Sequence, residues 1–164
     1  MERSIRTLKE GARCLIHALP FNKYPRVMIQ GCINNAIKTD NNIINQSGYS
    51  EQLLPTTIVT GIPPPNFESI ISLKFGDYVQ VFEGTTNTNK SRTQGAIALY
   101  PSGNLQQGWI FMSLLTGREV HGKQWTQMTI NQKVIDRVNA LGEKDGQPLV
   151  ADNFEFTTKS WESV

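Results

Sequence analysis

The sequence predicts an α+β fold, with helices in its N-terminal third, then a small antiparallel β-sheet or barrel, then a C-terminal helix. Apolar residues before position 61 recur every three or four residues, which is the period of an amphipathic helix. After position 75 apolar and polar residues alternate, as in a strand with one buried face. A helical pattern returns at residues 131–142. With 164 residues, the chain can form one ordinary domain or two small ones.

Three helices are predicted before the proline cluster at residues 63–65. The first ends before Pro20, because the residue that precedes a proline disfavours the α conformation. The second begins at Pro25 and ends near Asp40. The third covers residues 55–61, with a proline at its start and a glycine at its stop. The apolar face of the first helix consists of Ile5, Leu8, Ala12, Leu15, Ile16 and Leu19.

Four strands and one more helix are predicted in the second half of the chain. The strands cover residues 78–82, 95–100, 108–115 and 120–128, and Gly122 is interpreted as a bulge in the last one. Short strands joined by tight turns are typical of an antiparallel sheet or a small barrel. The helix begins at Asn131, a favourable capping residue, and ends at Gly142.

These elements divide the chain into four predicted segments. Residues 1–61 form a helical segment, and residues 62–74 form a proline-rich linker that contains the run 62–65, Ile-Pro-Pro-Pro. Residues 75–142 form the β-rich domain with its terminal helix. The acidic tail at residues 143–164 has no clear period, and we predict that it is disordered.

Composition excludes several classes of protein. A charged fraction of 18% and seven Phe argue against a disordered chain. No apolar run approaches the roughly 18 residues that cross a bilayer, so no membrane partner is expected. The N-terminus has no apolar core after its first charges, and two cysteines cannot form a disulfide framework. We therefore predict a cytoplasmic or nuclear protein that is not secreted.

Charge is distributed unevenly along the chain. Residues 1–38 contain seven Lys and Arg and two Glu, which gives a net charge of +5. Residues 39–142 contain seven charges of each sign, and residues 143–164 contain two Lys and five acids, for a net charge of −3. A basic N-terminal segment indicates an anionic partner such as nucleic acid, or else an ordinary solvated helix face.

Glu2 is the candidate for chemistry. It lies at the start of a helix, where the helix dipole favours a carboxylate. Arg6, Lys9 and Arg13 follow on the same face, in a stripe about 60° wide. A carboxylate beside a basic stripe suits an enzyme that holds Mg²⁺ against a DNA phosphate. The alternative is an acidic first turn followed by an ordinary i,i+4 helix pair.

Residues 2–13, Glu-Arg-Ser-Ile-Arg-Thr-Leu-Lys-Glu-Gly-Ala-Arg, resemble the last catalytic-core motif of copia-type retrotransposon integrases. Further segments resemble the rest of that core, and the β-rich region resembles the segment that precedes reverse transcriptase in such polyproteins. The resemblance covers residues 2 to about 142, and the order and spacing of its motifs make it specific. The further segments are 19–25, 55–61, 75–81, 93–99 and 113–118.

The resemblance implies that the N-terminal helices are the end of a ribonuclease-H-like integrase core. Glu2 would then be a catalytic and metal-binding residue, the third carboxylate beside two Asp that together hold two Mg²⁺ ions for DNA integration. The residues implied to bind DNA phosphates, without sequence preference, are Arg3, Arg6, Lys9 and Arg13.

Because the sequence begins one residue before Glu2, the strands that carry both Asp are missing from it, and we predict that the chain alone is not an active enzyme. Other integrase or polyprotein chains are the implied protein partners. Without its central sheet, the first helix is expected to expose an apolar face. The alternatives are a non-enzymatic nucleic-acid-binding module, a protein-interaction module that uses the β region, or a transposon remnant without a selected function.

Overall fold

The computed structural model describes residues 2–44, 50, 52–61, 63, 72–84, 89, 91–103 and 108–146, with the side chains of residues 2–4 left out. Most of the predicted linker at 62–74 and the tail from residue 147 lie outside these residues. Described parts of the predicted segments 1–61 and 75–142 pack together into one hydrophobic cluster.

The helices lie where the sequence predicts them. Asn42 follows the second helix, and Gly61 ends the third in a left-handed conformation with φ of 67°. That conformation is unfavourable for residues with a Cβ, which explains the glycine at the stop. Within the described residues the helices are α1 Glu2–His17, α2 Arg26–Asn41, α3 Pro55–Thr60 and α4 Gln132–Lys144.

The strands form one five-stranded antiparallel sheet in the order β4-β3-β2-β1-β5. They are β1 Tyr78–Phe82, β2 Thr93–Pro101, β3 Trp109–Ser113, β4 Glu119–Gly122 and β5 Trp125–Gln127. The α+β prediction is therefore confirmed. Of the two predicted arrangements the open sheet is the observed one, because β4 and β5 occupy opposite edges and share no ladder in the described part of the chain.

The prediction of a single strand over residues 120–128 is wrong. The chain crosses between the two edges of the sheet at Lys123 and Gln124, where the Gln124 carbonyl already accepts a hydrogen bond from Phe82 N. Strand β4 therefore pairs with β3 at one edge, and β5 pairs with β1 at the other. Three Cα steps join the two edges, a span of at most about 11 Å, so the sheet is strongly curled. Gly122 is not a bulge: a Cβ there would lie 2.6 Å from Val81 Cγ1, so only glycine permits this approach.

Alternate residues of the strands face two separate apolar clusters. Ile97 and Leu99 of β2 and Met112 of β3 belong to a cluster that also contains buried residues of α1, α2 and α4. Their neighbours Ala96, Ala98 and Phe111 face the concave side of the curled sheet. The helices therefore cover one face of the sheet, while the sheet curls around the other.

The expected exposed apolar face of α1 is only partly observed. Ile5 is exposed, but Ala12 and Ile16 are buried in the helix–sheet cluster, and Leu15 packs against that cluster. The rest of this chain therefore covers the second half of the apolar face, because α2 supplies a packing surface that the prediction assigned to a missing central sheet.

A bulge in β2 connects the sheet to α2. The register between β2 and β3 shifts between Ala98 and Tyr100. The backbone carbonyl of Leu99 accepts a hydrogen bond from Asn35 Nδ2 at 2.9 Å, and that of Pro101 accepts one from Lys38 Nζ at 2.5 Å. Polar side chains of α2 thus satisfy carbonyls at the irregular part of the strand.

Helix α4 joins the helical segment to the sheet. Asn131 caps it, because its side chain accepts a hydrogen bond from Val134 N, as the sequence predicts. Asn139 Oδ1 accepts hydrogen bonds from the backbone N–H groups of Asn22 and Lys23 in the α1–α2 connection. The predicted stop at Gly142 is wrong, because the helix continues to Lys144 and packs Gly142 against the Lys23 backbone.

Two buried side chains that lose a proton at alkaline pH, Tyr24 and Cys32, make this core less stable as the pH rises. Burial raises the pKa of Cys32 to about 11, and burial together with nearby Cys32 raises that of Tyr24 to about 12. Both groups lose their protons at lower pH in the unfolded chain than in the folded one. The free energy of unfolding is therefore fully present below pH 9 and falls as the pH rises from 9 to 12, by roughly 2–3 kcal/mol for each group.

Urea unfolding at a series of pH values measures this fall. In Tyr24→Phe, the part of the decrease in the free energy of unfolding that begins near pH 10 should be missing. The part that begins near pH 9, which Cys32 causes, should remain. An identical decline in Tyr24→Phe and the wild type would contradict the assignment.

Candidate nucleic-acid interface

Helix α1 presents the predicted basic residues on one exposed side. Arg6, Lys9 and Arg13 have exposed side chains within the 60° stripe that the helical period predicts. Glu2 and Arg3 lie in the first turn of the same helix, and their side chains are outside the described part. We call Arg6, Lys9 and Arg13 the basic face of α1.

Packing on a neighbouring side of α1, about 70° around the helix from the basic face, holds this orientation. Ala12 and Ile16 are only 2% and 6% exposed. Cys32 Sγ of α2 donates a hydrogen bond to the Ala12 carbonyl, and Tyr24 Oη donates one to the Ile16 carbonyl at 2.9 Å. The helix cannot rotate about its axis without exposing these residues, so the basic face is directed into solvent.

One acidic residue lies beside the basic face. Arg6 Nε and Glu10 Oε1 are 2.9 Å apart in an i,i+4 pair, with the two side chains 81% and 57% exposed. An exposed pair of this kind contributes at most about 1 kcal/mol and breaks readily in favour of a stronger partner. The three cations and Glu10 sum to +2, and Glu2, which the helical period places in the same stripe, lowers the net charge of this side to +1.

The cations of residues 14–38 do not extend the basic face. Lys23 pairs with Glu143 of α4 at 3.2 Å. The backbone N–H of Arg26 donates a hydrogen bond to the carboxylate of Asp145, which places an acidic residue beside Arg26. Lys38 is half-buried, with Nζ 4.9 Å above the ring of Tyr100. Folding therefore brings the start of the acidic tail onto the basic segment, which the linear charge count does not reveal.

The described residues do not fit a complete Mg²⁺ site. Mg²⁺ requires several oxygen ligands around one point. Glu10 is the next carboxylate of α1 after Glu2, and eight residues of helix separate them by about 12 Å. No group of three or more His, Cys, Asp or Glu within the described residues is arranged to hold a metal. The donor set that the resemblance implies is thus represented here by Glu2 alone.

Exposed apolar side chains occur mainly around α3 rather than on the sheet. Three large apolar residues of the β region are exposed, namely Phe82, Leu115 and Met128. Five surround α3, namely Ile43, Ile44, Leu53, Ile58 and Val59. Protein binding through the β region stays a prediction.

Comparison with known proteins identifies no relative of this chain. No protein-family model matches the chain, and neither curated proteins nor solved structures give a significant match. Among the described helices, none is long and apolar enough to cross a membrane. The resemblance to copia-type integrases therefore stays a prediction.

Proposed function

We propose that this chain binds duplex DNA through the basic face of α1, without sequence preference, as a part of a copia-type integrase. The observation that carries the proposal is the fixed, solvent-directed position of Arg6, Lys9 and Arg13 beside a buried side of the same helix. The integrase resemblance of residues 2–13 supports the same partner.

The chemistry of the basic face suits phosphates rather than bases. Arg6 and Arg13 lie about 10 Å apart along the helix axis, with Lys9 between them. Long, flexible cations in a row can follow a phosphate backbone, and such contacts position a protein without reading sequence. The pair between Arg6 and Glu10 is weak enough to yield to a phosphate.

A salt titration tests the proposal. Binding of the purified chain to a fluorescent DNA duplex should weaken about 40-fold between 50 and 200 mM salt, because three phosphate contacts give a slope of about −2.7 in log affinity against log salt. Duplexes of unrelated sequence should bind equally. In Arg6→Gln/Lys9→Gln/Arg13→Gln this slope should disappear.

A charge-matched variant is the control. Arg118→Gln/Lys133→Gln/Lys144→Gln removes three exposed cations elsewhere and leaves α1 intact. This variant should retain the affinity and salt slope of the wild type. An equal loss in both triple variants would mean that net charge rather than the basic face attracts DNA, and absence of binding at 50 mM salt would refute the proposal outright.

For Glu2 we propose a role only within a complete integrase core. There it would be one of three carboxylates that hold two Mg²⁺ ions, which activate the attacking hydroxyl and stabilise the leaving oxygen of a phosphodiester transfer. We expect no strand transfer by this chain alone with Mg²⁺ or Mn²⁺, because a single carboxylate is a poor Mg²⁺ site. Turnover by the purified chain that disappears in Glu2→Gln would contradict this expectation.

A further inference from the structure

A cavity of about 700 Å³ lies between the helices and the segment that enters β1. Leu15 of α1 and Leu19, just after α1, form one wall, while Leu73 and Phe75 form another, with Trp109 at the start of β3. This volume is within the range of sites that bind small organic molecules, and an apolar lining with few polar groups is typical of them.

Lys38 of α2 holds its ammonium group at the edge of this cavity. Lys38 lines it, and its Nζ donates a hydrogen bond to the Pro101 carbonyl and lies 4.9 Å above the Tyr100 ring. An ammonium carries three N–H donors, of which the carbonyl uses one. Burial lowers the pKa of Lys38, because desolvation disfavours its charge. A counter-charge in the cavity would offset that cost.

The described residues that line the cavity carry an excess of positive charge. Lys38 has no carboxylate partner among the ion pairs of the described residues. The acidic lining residue, Asp77, already accepts hydrogen bonds through Oδ2 from the Lys74 backbone N–H and from Gln127 Nε2. Lys74 adds a second cation to the lining.

We propose that this cavity binds a small amphiphilic carboxylate, with its apolar chain against Leu15, Leu19 and Phe75 and its carboxylate at Lys38 Nζ. The Pro101 carbonyl and the Tyr100 ring already fix the ammonium, so little side-chain entropy is lost on binding. The site is separate from the basic face of α1, because Leu15 points roughly 150° away from it around the helix.

Titration of the full chain with octanoate tests the proposal. Octanoate should shift the methyl resonances of Leu15, Leu19 and Leu73 in a saturable manner, whereas octylammonium of equal chain length should shift them at least tenfold more weakly. Lys38→Met removes the charge at similar volume and should weaken octanoate binding at least tenfold. Lys133→Met, on the exposed side of α4, should leave binding unchanged.

A second variant keeps the test valid if Lys38→Met does not fold. Leu15→Phe retains the ammonium and reduces the space for the ligand, so it should also weaken octanoate binding. The proposal is overturned if octanoate causes no saturable shift in the wild type, if octylammonium binds equally well, or if a folded Lys38→Met or Leu15→Phe variant binds octanoate as tightly as the wild type. None of these outcomes depends on DNA binding.

Discussion

Replacing Phe111 by alanine should lower the free energy of unfolding by about 3–5 kcal/mol, because its ring is fully buried in the apolar cluster on the concave side of the sheet. The Phe111 ring lies 5.7 Å from that of Trp125 in β5 and against Gly122 in β4. Truncation would leave a cavity where both edges of the curled sheet meet. Since domains of this size are stable by only about 5–15 kcal/mol, a large part of the stability would be lost.

Urea unfolding followed by circular dichroism measures this loss. Phe82→Ala is the matched control, because Phe82 is 41% exposed on β1, and it should cost less than about 1 kcal/mol. If Phe111→Ala does not fold, Phe111→Leu should retain the fold at a cost of about 1.5 kcal/mol. Equal losses in Phe111→Ala and Phe82→Ala would contradict the central position of Phe111.

Two helical glycines should respond in opposite directions to the same substitution. In Gly142→Ala the new Cβ would lie 2.9 Å from the Lys23 carbonyl carbon and 3.0 Å from Tyr24 N, and backbone atoms cannot rotate away. We expect a loss of about 1–3 kcal/mol despite the better helix propensity of alanine. In Gly11→Ala the nearest atom is Ala36 Cβ at 4.0 Å, an ordinary contact, so this variant should gain up to about 1 kcal/mol.

Thermal unfolding separates the two variants. A change of 1 kcal/mol moves the midpoint of a chain of this length by about 2–4 °C. Gly142→Ala should unfold at a lower temperature than the wild type, and Gly11→Ala at a higher one. Stabilisation by Gly142→Ala would mean that α4 does not approach the Lys23 backbone as closely as the structure places it.

Local patterns predicted most of the secondary structure. Predicted strand 78–82 coincides with β1, and Asn131 caps α4, because alternation and capping depend on residues close together in the chain. The prediction of one strand passes over the break at Lys123 and Gln124, although two consecutive polar residues interrupt the alternation there. The edge that each half joins depends on the choice of neighbouring strand. Gly142 was misread for a similar reason, because its partner is the backbone of Lys23.

The sequence also predicted one part of the candidate interface and not the rest. The helical period alone placed Arg6, Lys9 and Arg13 on one side of α1, and the structure has all three exposed. The charge count along the sequence groups Lys23 and Lys38 with these three residues. In the structure Lys23 pairs with Glu143, and Lys38 is half-buried beside Tyr100, so neither belongs to the basic face. No signal in the sequence indicated the cavity beside Lys38, because its walls come from segments about 20–70 residues away along the chain.

The sequence by itself therefore determined the α+β class, the helices with the caps at Gly61 and Asn131, and the shared face of the basic residues of α1. These depend on periodicity and on interactions within a few residues. Tertiary structure alone decided which edge β5 joins, why Gly122 and Gly142 must be glycine, and which cations remain exposed. Each of these depends on contacts between residues far apart in the chain, whose geometry is set by packing rather than by any local pattern.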